Sequence, residues 1–340
     1  MEKIDAKTFG GIIAAGVALA LMAVPVPAGA QETPIEWKFF TYFAPNDKPT
    51  QLNRAFAEDV AAATGGRLRI TVFAGGELPY KAPDVVRAVA TNQVQMGDVA
   101  VGFAAGDVPE VNVLSMPFLC TSYEHFDRAL PEIAPILSGV MKERYRLETG
   151  VQWTMPPQNL WLNRPMSSLD DVKGLKIRTW NPEQVKMIQL LGGSPVSITS
   201  AEVIPALERA AIDGAITSAL SANDWRAYDI VKTGYMVNMT MGHQMMLLNG
   251  DQFAALPEDI RDILRAKIDE WAPKYNSMSL EGDVAARENL RANGVTLVEP
   301  SAQDMQQARE LLSPFWAEWA QTQGEVGSQL LDVARSACAS

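Results

Sequence analysis

Asp170-Asp171-Val172-Lys173-Gly174-Leu175-Lys176-Ile177-Arg178 reads as a polar turn, then a short strand, with an arginine closing it. The carboxyl end of a strand is where an α/β protein presents groups to a ligand. An arginine there offers a planar fork of donors that matches a carboxylate. A surface arginine held in an ion pair is the bland alternative, and the surrounding chain has to decide between them.

Upstream, strands and helices alternate. Residues 36–43 form an aromatic-rich strand, and 46–64 an amphipathic helix with Leu52, Phe56, Val60 and Ala63 at helical spacing. Gly65-Gly66 stops that helix. Residues 67–73 alternate as a strand, 83–92 are helical, and 94–101 make a third strand. Such a βαβαβ pattern implies a parallel sheet covered by helices. Met116-Pro117-Phe118-Leu119 reads as a buried loop, and residues 122–147 as a helical region interrupted by Pro131 and Pro135.

A second α/β unit follows. Residues 150–154 and 160–163 read as two short strands, and 175–178 as the strand that carries Arg178. Helices are expected over 183–191 and over 200–209, the latter with Ser200 as N-cap and Glu202 and Glu208 on its polar face. Ile212-Asp213-Gly214 leads into a further strand. Residues 257–293 read as a very long helix that Pro273 should kink or interrupt. Residues 295–298 are a strand and 301–334 helical. There are no repeats and no low-complexity linker, so the expected fold is two α/β domains that exchange strands, crossed by the long helix.

Residues 1–30 read as a secretory signal, with Lys3 and Lys7 in the n-region, an apolar run over 12–24, and Ala28-Gly29-Ala30 as the cleavage site. The apolar run is shorter than the ~20 residues a membrane anchor needs. The remainder is expected to be periplasmic. The whole chain carries 29 Lys+Arg against 40 Asp+Glu, a net charge of −11. That acidity argues against nucleic acid as a partner. Cys120 and Cys338 either pair in an oxidising compartment or stay as two buried thiols.

The chain lacks catalytic grammar. It has two histidines, His125 and His243, far apart and without metal-ligand spacing. There is no G-x-S-x-G, G-x-x-x-x-G-K-[ST] or G-x-G-x-x-G. Asp170 and Asp171 are neighbours whose side chains point apart, which suits a solvated turn. No catalytic residue, metal or cofactor is therefore expected. An exported two-domain chain without that machinery reads as a binding protein; a secreted hydrolase with a cleft, or a receptor feeding a membrane sensor, are the rivals.

The chain resembles the solute-binding proteins of tripartite ATP-independent periplasmic (TRAP) transporters. Thr64-Gly65-Gly66-Arg67-Leu68 with Gly76-Glu77-Leu78 is similar to the family's TGGRL…GEL start, and Leu114-Ser115-Met116-Pro117-Phe118-Leu119 to its LPFLF loop. Asp171 to Arg178 is similar to DLKGLKIR, and Gly192-Gly193-Ser194-Pro195-Val196 to GASPVPM. Glu202-Val203, Ala206-Leu207 and Ile212-Asp213-Gly214 are similar to EVYTALQTGVVDG, and Leu256-Pro257-Glu258-Asp259 to LPEDLQ. The pieces are short, but they fall in register. The resemblance implies a two-domain periplasmic binding protein with a ligand cleft. Its domains are expected at 31–154 plus 243–282 and at 155–242 plus 283–340. It also implies that Arg178 pairs with a ligand carboxylate, that TRAP membrane subunits are the partner, and that the chain is a monomer.

Departures from the family pattern shape the expected pocket. Gln158 stands where some relatives carry a second arginine, and Thr217 where an asparagine contacts ligand. The stretch containing Val101 and Phe103 is apolar where others place charges, and Tyr42 replaces a polar position. Trp180 follows Arg178 closely. One cation among aromatic and apolar surfaces suits a monocarboxylate with an aromatic or apolar body. Core packing is the competing reading for Tyr42, Phe103 and Trp180, and Trp153, Trp161 and Trp225 are expected to be packing residues.

Overall fold

The structure, a computed structural model, describes residues 33–198 and 200–338. The residues read as an export signal, 1–30, lie outside those described. The first part of the chain alternates as its pattern dictates: β1 (Ile35–Thr41), α1 (Lys48–Ala63), β2 (Leu68–Phe73), α2 (Val85–Ala90), β3 (Met96–Ala100) and the single turn α3 (Val101–Ala104). Helix α4 (Tyr123–Tyr145) leads into β4 (Leu147–Leu162). Then come β5 (Lys176–Thr179), α5 (Pro182–Leu190), β6 (Ser194–Ser197), α6 (Ser200–Glu208), β7 (Gly214–Ser218) and α7 (Ala219–Asp224). The chain finishes with β8 (Thr233–Asn249), α8 (Gly250–Ala254), α9 (Glu258–Ala292), β9 (Thr296–Val298), α10 (Ala302–Thr322) and α11 (Gly324–Cys338).

The described strands share one sheet in the order β2-β1-β3-β8-β4-β7-β5-β6, with β9 beside β8. At one end β1 is parallel to β2 and β3; at the other, β5 is parallel to β6 and β7. The antiparallel pair β4 and β8 joins these ends. Residues 147–154 of β4 lie beside residues 243–249 of β8, which also pair with β3. Further along, residues 158–162 of β4 pair with β7 and with the start of β8. β8 thus borders the first parallel set through β3, β4 borders the second through β7, and their mutual pairing makes both sets one sheet.

Four helix or strand readings need correction. The segments 150–154 and 160–163 are not separate strands. They belong to the continuous β4, whose register shifts at Thr149/Gln152, Thr154/Pro157 and Gln158/Leu160 absorb Gly150 and the Pro156-Pro157 pair as irregularities. Pro131 and Pro135 do not interrupt α4, and Pro273 does not interrupt α9. Each proline removes one intrahelical donor, but packing keeps the helix whole. In α4 the buried stripe Phe126, Ala129, Ile133, Leu137 and Met141 runs past both prolines. The helical stretch 301–334 divides at Gly324, whose φ of +68° ends α10 and starts α11.

The 35-residue α9 spans two cores. Its Ile260, Leu264, Trp271 and Tyr275 join Phe56, Trp37 and Trp153, whereas Ala286 and Leu290 join Ala219, Ala222 and Trp161. Cys120 and Cys338 are bonded, with 5.3 Å between their Cα atoms, and this ties the end of α11 to the loop after Phe118. Among the described residues no helix is long and apolar enough to cross a membrane.

Candidate functional site: a cleft at the strand ends

Strands from both parallel sets end at one cleft of about 500 Å³. β1 delivers Tyr42 and Phe43 just past its last residue; β3 ends there with Ala100, and α3 follows with Phe103. From the other set come Arg178, Thr179 and Trp180 after β5, Ser197 at the end of β6, and Thr217 near the end of β7. Gln158 and Met155 reach it from β4, and Ser221 and Trp225 from α7 and its end. This is the crevice beyond the carboxyl ends of strands where α/β sheets hold ligands.

Arg178 is 5% exposed. Its Nε donates to the Ile198 carbonyl at 3.1 Å and its Nη1 to the Ile216 carbonyl at 2.9 Å. It makes no ion pair with any described residue, and it is the one cation among the described residues lining the cleft. Burial lowers its pKa to about 10, because a desolvated guanidinium without a carboxylate is costly. The Trp225 ring centre lies 5.8 Å from its Cζ, so an aromatic face takes part of the charge. The surface ion-pair alternative is therefore wrong for Arg178.

Part of the lining is a run of aromatic rings. Tyr42 stacks on Phe43 at 4.4 Å and meets Phe103 edge-on at 5.5 Å; Phe103 in turn lies 6.0 Å from Trp180. Gly102 permits the last contact: a Cβ there would stand 2.9 Å from Trp180 Cζ3. The Tyr42 hydroxyl accepts a 2.6 Å hydrogen bond from Gln244 Nε2, and burial pushes its pKa well up, so it stays a neutral phenol. Gln158 is buried, its Nε2 donating to the Pro156 carbonyl at 3.0 Å.

Of the residues picked out from the sequence, Arg178, Gln158, Thr217, Trp180, Tyr42 and Phe103 meet in this cleft. Val101 does not. Strand β3 ends at Ala100, so Val101 opens α3 and turns into the core beside Val99 and Val113. Trp161 is a packing residue, as expected, and its Nε1 donates to the Thr217 carbonyl at 2.8 Å and so braces that strand; Trp153 also joins a core but borders a neighbouring space as well. Trp225 is not only packing, because it faces both the cleft and Arg178. Its signal was a large aromatic among polar neighbours, Asn223-Asp224 before it and Arg226 after it. Glu202 and Met155 also border the cleft, and nothing in their spacing announced it. No group of His, Cys, Asp or Glu side chains among the described residues is arranged to hold a metal.

A two-domain α/β sheet with exchanged strands, a spanning helix and a cleft at the strand ends defines a periplasmic binding protein. The sequence profile of bacterial extracellular solute-binding protein family 7 matches residues 40–323, and the chain belongs to that family. It is an extracytoplasmic TRAP solute receptor, of a periplasmic family of receptors rather than enzymes. A Bordetella pertussis extracytoplasmic solute receptor binding pyroglutamic acid is similar in structure, with a TM-score of 0.81 and 26% identity over 89% of this chain and all of that one. The C4-dicarboxylate-binding periplasmic protein DctP of Rhodobacter capsulatus is 25% identical over 97% of this chain and 98% of its own length. A TRAP solute-binding protein from Roseobacter denitrificans with bound β-D-glucuronate shares the fold at 23% identity and a TM-score of 0.80, over 88% of this chain and 99% of that one.

Proposed function

We propose that this receptor captures an organic monocarboxylate with an aromatic or apolar body and hands it to the membrane subunits of a TRAP transporter. The observation that carries the reading is Arg178: buried, without an ion pair among the described residues, in a cleft also lined by Tyr42, Phe43, Phe103 and Trp180. Arg178 holds the solute carboxylate. Tyr42, whose oxygen already accepts from Gln244, keeps its own proton for a solute oxygen, and Thr217 and Gln158 add neutral polar contacts. Arg178 is the one cation among the described cleft residues, and its fork pairs with one carboxylate. A C4-dicarboxylate would leave its second charge unmatched, and a uronate would leave hydroxyls against apolar rings.

In this reading the chain is exported by residues 1–30 and works as a monomer. Residues 31–154 with 243–282 close on residues 155–242 with 283–340, and closure excludes water from the Arg178 contact, which strengthens it. The solute drives closure by the difference in its affinity for the two states.

A thermal-shift screen tests the reading with aliphatic and aromatic monocarboxylates, pyroglutamate, C4-dicarboxylates and glucuronate. Stabilisation by monocarboxylates supports it, and stabilisation confined to dicarboxylates or uronates overturns it.

A further inference from the structure

A second chamber of about 310 Å³ adjoins the cleft, and Phe43, Met155 and Ser221 border both spaces. Trp153, Pro156 and Leu220 with Met278 of α9 give it apolar surface, the buried Ser218 and Ser279 also line it, and the exposed Asp47, Lys48 and Asp224 stand at its edge. The irregularity in β4 lies at the border of the two spaces, where Met155 lines both. The register shift between Thr154 and Pro157 takes Met155 and Pro156 out of regular pairing. Thr154 N then donates to Asn276 Oδ1 of α9 at 2.9 Å, which fastens the bulge. Gly242 makes room behind Met155, since a Cβ there would lie 2.9 Å from its Cβ and Sδ.

We infer that the two spaces form one elongated site, and that the solute is a monocarboxylate with an apolar chain long enough to pass Met155 into the second chamber. This rests on the monocarboxylate reading of the Arg178 cleft. The carboxylate stays at Arg178, the near part of the body lies against the aromatic wall, and the far part replaces water against Trp153, Leu220 and Met278. The charged edge faces solvent, and inside the chamber the hydroxyls of Ser218 and Ser279 are already bonded to Ser221 and Tyr123, which leaves the space to an apolar tail. Chain length is then the specificity determinant, and Met278 and Leu220 set its limit.

The test is isothermal titration of the intact protein with butanoate, hexanoate, octanoate and decanoate. Burying each added methylene should tighten binding about fourfold until the chamber is full. Met278→Trp and Leu220→Trp, each filling the chamber from a different element, should bind butanoate as the wild type does and lose the gain with length. Wild-type affinity that stays flat or falls beyond butanoate overturns the inference while leaving the monocarboxylate reading standing. So does a length gain that survives in both variants once circular dichroism shows them folded. If none of the acids binds, butanoate included, the monocarboxylate reading falls and takes this one with it.

Discussion

Arg178 Nη1 donates to the Ile216 carbonyl oxygen at 2.9 Å, so the cleft's cation is aimed by the main chain of the neighbouring strand β7. A carbonyl orients a guanidinium without neutralising it. On the proposed reading that charge is kept for a solute carboxylate, and the side chain would lose little freedom on binding because two of its nitrogens are already fixed. Arg178→Ala is expected to weaken the cognate carboxylate by about 2–5 kcal/mol, the usual cost of truncating a buried charge pair. Arg178→Lys keeps the charge but cannot reproduce the fork, so it should recover only part of that loss. Titration calorimetry reads both, and an unchanged affinity in the alanine variant would remove Arg178 from the site.

Gly102 and Trp180 face each other so closely that no side chain fits between them. Gly102→Ala should force the indole aside, at about 1–3 kcal/mol of overpacking, and disturb the aromatic wall. The expected signature is a shifted tryptophan emission together with roughly tenfold weaker solute binding, equal to about 1.4 kcal/mol. A variant with wild-type emission and affinity would mean that the wall yields freely.

The contrast between Arg178 and Trp225 explains which parts of the site were legible in the sequence. Arg178, Gln158, Thr217 and Tyr42 lie on or directly after strands, where local pattern fixes position. Trp225, Met155 and Glu202 reach the cleft through the end of α7, a bulge and the first turn of α6, and no periodicity encodes those directions. Val101 failed by one residue. The alternation of β3 suggests a strand continuing through it, but the chain coils into α3 after Ala100, and that redirects the side chain into the core. The fold was legible at the level of alternating elements. Its errors fell on Gly150, Pro131, Pro135, Pro156 and Pro273, where long-range packing overrides a local breaker.

The bond between Cys120 and Cys338 spans a sequence separation of 218 residues. Closing so long a loop removes unfolded-state entropy worth about 5 kcal/mol in the chain-entropy account. Cys338→Ser, or reduction of the wild type, is expected to lower the melting temperature and to expose α11 to proteolysis. A melting temperature indifferent to reductant, with complete reduction verified by thiol labelling, would show that packing of α11 carries the stability alone.

Two buried groups titrate against each other. Asp98 is 1% exposed and accepts hydrogen bonds from Thr41 Oγ1 and Asn53 Nδ2, both at 3.1 Å, yet burial raises its pKa to about 6. His243 is fully buried, with Nε2 3.2 Å from Gln152 Oε1, and burial lowers its pKa to about 3. Between pH 4 and 6 the folded protein keeps a proton on Asp98 that the unfolded chain has released. This contribution therefore falls as pH rises, and it is lost above about pH 6. Over the same interval the unfolded chain protonates His243 and the folded protein does not. That contribution falls as pH drops, and it is lost towards about pH 3. The two slopes oppose, each at most about 1.4 kcal/mol per pH unit. Relative to wild type, Asp98→Asn should lose stability on going from pH 6 to 4, by about 1 kcal/mol per unit, because the histidine slope is left uncompensated. His243→Gln should gain stability over the same interval by a similar amount. Urea unfolding at pH 4, 5 and 6 measures both differences, and parallel pH profiles for the three proteins would show that neither group is held in the protonation state its burial dictates.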